Sequence, residues 1–157
     1  MMPANSRLEV FDLDGIPLFN QDYESEPPEK VKEFKKKIRS ADAILIATPE
    51  YNYSIPGVLK NAIDWASRPP GDNAWTGKPV AIMGASTGRF GTARAQYHLR
   101  QCFVFLDMLP INHPEVMISN AKDSFDELGR LKDARTQQLV AELIKQLVVW
   151  TEKVRKQ

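Results

Sequence analysis

Two nearly continuous apolar runs constrain the fold of this chain most strongly. The runs "AILIA" (residues 43–47) and "PVAIMG" (residues 79–84) contain no charged side chain. Strands with this pattern are covered on both faces, as in parallel sheets whose crossover helices lie on either side. The two runs therefore predict inner strands of an α/β protein.

Further strand and helix patterns surround these runs. The run "LEVFDL" (8–13) alternates apolar and acidic residues and predicts an outer, half-covered strand, and "PEVMI" (114–118) predicts another strand. Helical periodicity predicts four helices, at residues 27–41, 56–67, 92–106 and 133–154. We therefore expect one α/β domain over residues 1–157, with right-handed crossovers and a ligand at the carboxyl ends of its strands.

The charge balance and the cysteine content argue against several functions. With 21 basic and 20 acidic residues, the chain has no net field that would favour nucleic acid or an anionic membrane. Its single cysteine cannot form an internal disulfide, and no apolar run approaches the ~18 residues of a membrane span. The amino terminus also lacks an apolar leader. We therefore expect a cytoplasmic protein that binds neither nucleic acid nor membrane.

The loop after the first inner strand carries an unusual set of side chains. In "TPEYNYSIP", residues 50–55 lie between the end of the strand and Pro56, which starts the next helix. A planar, partly polar ligand needs a flat apolar contact and amide groups for its rim. Tyr51, Asn52 and Tyr53 could supply both, or they could simply close the turn.

A second candidate loop, "GASTGRFGT" (84–92), follows the second inner strand. Its glycines and small hydroxyl residues would let backbone N–H groups approach a polar ligand in front of a helix. The loop is not a phosphate-binding P-loop, because Arg89 occupies the position of that motif's second glycine. From these residues alone, a plain turn that begins a helix remains an equal alternative.

The string "PEYNYSIPGVLKNAIDWASRP" resembles the signature of the NADPH-dependent FMN reductase family, flavodoxin-like flavoproteins that include chromate and quinone reductases. "FDLDGIPLFNQD" resembles the second strand and following loop of the family, "GKPVAIMGASTGRFGTARAQYHLRQ" its fourth strand and flavin-edge loop, and "FLDMLPINHPEVMI" its last strand. The resemblance covers nearly the whole chain from Leu8. It implies a flavodoxin-like three-layer sandwich around a central parallel sheet.

The resemblance also implies the site residues. It places one group of FMN contacts after the first inner strand and a second group after the next inner strand. These groups are Pro49, Glu50, Tyr51, Asn52 and Tyr53, and Ala85, Ser86, Thr87 and Gly88. It further implies that Ser86 bonds the polar edge of the flavin. Arg89 is the nearest candidate cation for a phosphate of NADPH or for an anionic acceptor, although a surface arginine of no special role fits the same position.

The expected function is an NAD(P)H-dependent, FMN-containing oxidoreductase that reduces quinones, chromate, similar small acceptors or free flavin. Because the cofactor carries the chemistry, we expect no catalytic acid or base and no metal. The sequence agrees, since it shows no Ser-His-Asp set and no metal-ligand spacing. The alternative is a flavodoxin-like electron carrier or flavin-binding module without pyridine-nucleotide activity. Near-neutral charge favours the enzyme, because short-chain flavodoxins tend to be strongly acidic.

Two helices suggest self-association. The apolar stripe of helix 57–67 is wider than packing on one sheet face requires, and helix 92–106 has a second, mixed line with Ala93, Tyr97 and Val104, with Arg100 close by. A deep sheet that simply buries the helix well is the alternative. The resemblance implies a homodimer or homotetramer through these helices. Cys102 shares a face with apolar residues and is expected to be a buried hydrophobe without redox role.

The resemblance also predicts a gap at the start of the chain. Members of the family open with a strand and a loop that wraps the FMN phosphate, whereas here "MMPANSRLEVFDL" begins where the first helix should end. We therefore expect the strand at residues 8–13 to lack its neighbour and two strand edges to stay unpaired. Three explanations stay open: the sequence is a fragment, the gene start is assigned too late, or another chain or a rearranged strand fills the gap. On this basis, we expect residues 1–157 to bind FMN weakly or not at all.

Overall fold

The two apolar runs form parallel strands that pair with each other, as predicted, but only the run at 79–84 is an inner strand. The computed structural model describes residues 2–4 and 6–156. Among the described residues, the strand at 43–47 has a partner on one side only and lies at the edge of the sheet. The strands are β1 (Ile44–Thr48), β2 (Pro79–Ala85), β3 (Leu109–Pro110) and β4 (Val116–Ile118). The α-helices are α1 (Glu29–Ser40), α2 (Gly57–Ala66), α3 (Ala93–Leu106), α4 (Ala121–Ser124) and α5 (Ala134–Val154), with a 3₁₀ turn at Gln21–Tyr23. All four predicted helices are present within two residues of their predicted starts and ends.

β2 is the central strand of a parallel sheet. Its register pairs Ile44 of β1 with Val80 and Thr48 with Gly84. On its other side β2 pairs first with β3 and then, further along, with β4. The carboxyl ends of β1, β2 and β4 therefore meet at one edge of the sheet.

The last strand begins later than predicted. The sequence pattern placed it at residues 114–118, whereas the structure starts β4 at Val116 and adds the two-residue β3 further upstream. The gap between them contains Pro114, which has no N–H to donate to a ladder. The segment that pairs with this side of β2 therefore forms two short strands, β3 and β4, instead of one continuous strand.

The prediction of a strand at residues 8–13 is wrong. That segment forms no ladder, and among the described residues β1 pairs only with β2. Val10 is 84% exposed, whereas the Phe11 ring lies 4.9 Å from the Phe34 ring of α1. The alternation reflects a segment covered on one side, but without a neighbouring strand the backbone has no ladder partner.

Two cores on opposite faces of the sheet define the three layers. On one face, α1, α2 and α3 cover alternate strand residues, including Ile46, Val80 and Ile82. On the other face α5 covers Ala81 and Val116. This arrangement confirms the flavodoxin-like α/β sandwich. Among the described residues, no helix is long and apolar enough to cross a membrane.

Candidate functional site

The loops after β1 and β2 approach each other closely at the carboxyl edge of the sheet. A Cβ atom added to Gly84 would stand well under 3.0 Å from the carbonyl oxygen of Thr48 and from the hydroxyl of Thr92. Because Gly84 has no side chain, β1, β2 and the start of α3 can converge there. The close approach brings both predicted ligand loops to one place.

The first loop is a tight two-residue turn. Tyr51 and Ser54 exchange two backbone hydrogen bonds, of 3.1 and 2.9 Å, and the turn residues Asn52 and Tyr53 have φ angles of 49° and 66°. Two positive φ values define a type I′ turn, which asparagine accommodates readily and an aromatic residue rarely adopts. The backbone at Tyr53 therefore stores strain of about 1 to 3 kcal/mol.

Glu50 faces the start of α3 rather than solvent. Its side chain is 5% exposed, and its carboxylate accepts hydrogen bonds from the backbone N–H groups of Arg94 (3.0 Å) and Ala95 (3.1 Å). Thr92, the residue before the helix, makes no side-chain cap of its own. Glu50 thus caps α3 from another loop, where a carboxylate also complements the positive end of the helix dipole.

Arg94 joins the two loops and was not among the site residues predicted from the sequence. Its Nε donates to Glu50 at 2.7 Å, and its guanidinium carbon lies 3.6 Å from the centroid of the Tyr53 ring and 5.1 Å from that of Phe90. One signal could have pointed to it. A cation in the first turn of a helix is repelled by the positive end of the helix dipole. An arginine at position 94 therefore indicates that a carboxylate lies nearby and offsets this repulsion.

The second loop is fixed against the end of β4. Ser86 donates its N–H to Ile118 at 3.0 Å and accepts from the N–H of Ala121 at 3.0 Å. Gly91, at a φ of 58°, packs against the backbone of Met117, where a Cβ would come within 2.9 Å. The segment after β4, which was not among the predicted site residues, therefore supports this loop.

The exposed groups of the two loops fit a planar ligand with a polar rim, as in the isoalloxazine of FMN. The hydroxyl oxygen of Ser86 accepts a hydrogen bond from the N–H of Gly88 at 3.1 Å, so the hydroxyl can still donate a hydrogen bond to a ligand. The backbone N–H groups of Thr87 and Arg89 donate to no acceptor among the described residues. The side-chain amide of Asn52 also donates to none of them. Beside them the Tyr51 and Tyr53 rings are largely exposed.

The other predicted residues lie around this cluster. Pro49 is exposed where the chain leaves β1, and Ala85 ends β2 half-buried. Arg89 is exposed, with its guanidinium 4.8 Å from the Phe90 ring centroid, and has no carboxylate partner among the described residues. The exposed His98 shares a hydrogen bond with the Ser54 hydroxyl at 2.9 Å.

Cys102 is less buried than predicted. Its side chain is half-buried against the core under α2 and α3, rather than enclosed by it. Burial raises the pKa of the thiol, which keeps the thiolate scarce near neutral pH. No cluster of three or more metal-ligating side chains occurs within residues 2–4 and 6–156.

These features define a flavodoxin-like protein whose strand-end loops suit a flat, polar-edged cofactor. Residues 2–123 match the family model described as NADPH-dependent FMN reductase, and the chain belongs to that family. The family, the fold, the oxidoreductase class and the FMN cofactor predicted from the sequence are thereby confirmed.

Named relatives and a solved structure agree with the family. The chain is 55% identical over 156 residues to an NAD(P)H-dependent FMN reductase of Pseudomonas aeruginosa, covering 99% of this chain and 84% of that protein. It is 43% identical over 150 residues to a 2-hydroxy-1,4-benzoquinone reductase of a Burkholderia species, with coverages of 96% and 82%. The structure of an NAD(P)H:(acceptor) oxidoreductase from Paracoccus denitrificans superposes with a TM-score of 0.81 at 38% identity, covering 90% of this chain and 78% of that one.

Proposed function

We propose that this protein is an NAD(P)H-dependent FMN oxidoreductase that reduces quinones or similar small acceptors. FMN, when bound, supplies the redox chemistry by accepting a hydride and passing the electrons to a second substrate. Several relatives are named quinone reductases, which supports a quinone as the acceptor. Chromate and free flavin stay further candidates.

One observation carries this proposal. The exposed rings of Tyr51 and Tyr53 lie on one of the two loops that meet at the sheet edge, and the other loop carries N–H groups at Thr87 and Arg89 that donate to no acceptor among the described residues. In the proposed complex, Tyr51, Asn52 and Tyr53 orient the flavin ring, and the loop of residues 85–88 bonds its polar edge. Arg89 is the proposed partner for a phosphate of the nicotinamide nucleotide or for an anionic acceptor. A relative is named for NAD(P)H, so NADH and NADPH are both proposed as hydride donors.

Loss of the turn side chains should weaken FMN binding. Asn52→Ala combined with Tyr53→Ala removes one aromatic contact and one amide, and we expect a loss of about 1 to 3 kcal/mol, or roughly 5- to 150-fold in Kd. Titration of the purified protein with FMN to millimolar concentrations, followed by flavin fluorescence, measures this change even if binding is weak.

A matched control and an activity assay complete that experiment. Tyr23→Ala removes a similarly exposed tyrosine outside both loops and should leave the Kd unchanged. Equal FMN affinity of the double variant and the unmodified protein, with the fold intact, would contradict the site. Oxidation of NADH or NADPH in the presence of a quinone separates an enzyme from an electron carrier, which would show flavin binding without nucleotide oxidation.

We further propose that the protein is a homodimer or homotetramer through α2 and α3, and that it acts in the cytoplasm. The outward side of α3 exposes apolar groups, with Tyr97 at 52% and Val104 at 84%, and Val58 of α2 is also largely exposed. Exposed apolar and aromatic residues on adjoining helices are typical of a subunit interface. Ala93 and Arg100, which belong to the same predicted line of α3, are half-buried.

Tyr97→Glu should lower the oligomeric mass, because a carboxylate would lose its hydration in an apolar interface. Light scattering coupled to size-exclusion chromatography measures the mass, and circular dichroism verifies that the fold is intact. Val149→Glu, at a half-exposed position on α5 across the sheet, is the control and should leave the mass unchanged. An unaltered mass in the Tyr97 variant would contradict the proposed interface.

A further inference from the structure

Arg94 lies at a position where a cation is electrostatically disfavoured. It is the second residue of α3, where the unpaired N–H groups of the first turn make the helix end positive. The buried Glu50 carboxylate offsets both charges, since it accepts the backbone N–H groups through one oxygen and Arg94 Nε through the other. The arginine side chain is therefore held in one orientation by a residue of the β1 loop.

The face of this immobilised guanidinium carries the Tyr53 ring. The distance from the guanidinium carbon to the ring centroid is 3.6 Å, well within the range of a cation–π contact. Tyr53 is also the aromatic residue with the strained backbone, and 68% of its surface is exposed. The stack on Arg94 thus fixes a ring that would otherwise sample many orientations in water.

Helix capping alone does not account for this arrangement. The two backbone hydrogen bonds from Arg94 and Ala95 to Glu50 would cap α3 with any side chain at position 94. The Nε bond and the ring stack are additional, and the two Nη groups of Arg94 donate to no acceptor among the described residues. The specific contacts of the guanidinium are therefore with Glu50, Tyr53 and Phe90.

We propose that Glu50 and Arg94 are positioning residues that hold the Tyr53 ring in its flavin-binding orientation before FMN arrives. This inference rests on the proposed role of the turn in FMN binding. It assigns Glu50, which the sequence resemblance implied to be a direct flavin contact, a role through Arg94. A preorganised ring avoids the ordering cost that a mobile tyrosine would add to ligand binding.

A double-mutant cycle in FMN affinity tests the proposal. Arg94→Met keeps the helix and the apolar stem but removes the planar cation, and we expect about tenfold weaker FMN binding. In a Tyr53→Ala background the same substitution should have no further effect, because the ring through which Arg94 acts is gone. Equal losses in both backgrounds would show that Arg94 acts by another route and would overturn the proposal.

Two further variants distinguish positioning from charge. Arg94→Lys keeps the charge but lacks Nε and the planar surface, so it should bind FMN as weakly as Arg94→Met. Full recovery by lysine would overturn the proposal in favour of a simple electrostatic contact. Lys145→Met, which removes an exposed cation on α5, is the control and should bind FMN like the unmodified protein.

A measurement without flavin separates this inference from the proposed function. In NMR spectra of the flavin-free protein, the Arg94 Nε–H signal should be protected from exchange, and Glu50→Gln should remove that protection and shift the Tyr53 ring signals. Tyr53 signals unaffected by Glu50→Gln would overturn the positioning role even if FMN binds. A failure of the unmodified protein to bind FMN would overturn the proposed function, whereas the ring signals would still decide whether the stack exists.

Discussion

Gly84→Ala should destabilise the protein by crowding the point where β1, β2 and α3 converge. The new Cβ would lie under 3.0 Å from the Thr48 carbonyl oxygen and from the Thr92 hydroxyl, and 2.9 Å from Thr92 Cβ. The carbonyl belongs to the backbone of β1, which is paired with β2, and cannot rotate away as a flexible side chain would. Overpacking of this kind costs about 1 to 3 kcal/mol, which lowers the Tm of a chain this long by roughly 2 to 12 °C.

The assay is thermal unfolding followed by circular dichroism, with Gly57→Ala as the matched control. Gly57 is the first residue of α2, and a Cβ there would meet no atom within 4 Å. Alanine is a better helix former than glycine, so the control should melt at the same temperature as the unmodified protein or slightly above it. A Gly84→Ala protein that melts together with Gly57→Ala would refute the close-packing argument.

Two predictions follow from pKa shifts. Because burial raises the pKa of Cys102, its thiol should react with a disulfide reagent much more slowly in the folded protein than in urea; equal rates would contradict the burial. Asp133 caps α5, and hydrogen bonds from the Thr136 hydroxyl and N–H lower the pKa of its carboxyl group. The stabilisation that this carboxylate contributes is therefore fully present above the ordinary aspartate pKa and is lost as the pH falls through the lowered pKa. Asp133→Ser keeps a cap without that charge. The Tm difference between the unmodified protein and this variant should therefore shrink in acid, and a difference constant with pH would contradict the assignment.

The two apolar strands and the helices could be predicted because their signals are local, although the inner position expected for β1 was wrong. The apolar run at 43–47 became β1, shifted by one residue, and the run at 79–84 became β2, longer by one residue. The starts of two helices could also be predicted from proline, because α1 and α2 begin directly after Pro28 and Pro56. Short-range periodicity and proline chemistry are sufficient for elements of this kind.

The outer parts of the sheet could not be predicted in this way. A strand is completed by hydrogen bonds to a neighbour, and the pattern at residues 8–13 contains no information about whether that neighbour is present. The same limit applies to the last strand, where Pro114 interrupts pairing although the run "PEVMI" has strand character. Both errors concern pairing rather than the polarity of the residues.

The sequence predicted where the two candidate loops lie but not the contacts that hold them. The loop at residues 50–54 lies at the sheet edge as expected, yet Glu50 and Arg94 are 44 positions apart, and no local pattern joins them. The long-range bonds between Ser86 and the segment after β4 were invisible for the same reason. The only local sign of the ion pair between Glu50 and Arg94 is the unfavourable position of the Arg94 cation at the start of a helix.

The contacts divide the site into residues that the fold requires and residues that it does not. Removing Arg94 would leave the buried Glu50 carboxylate with only the two backbone N–H groups of α3 as partners, and Gly84 has no room for a side chain. Tyr51 and Arg89, in contrast, are exposed and make no side-chain hydrogen bond among the described residues. Substitution at those two positions changes little of the packing, so differences in acceptor or nucleotide preference can arise there at low cost in stability. In the proposed complex, the first group fixes the backbone of the two loops that face the flavin, and selectivity among substrates is adjusted at the second group.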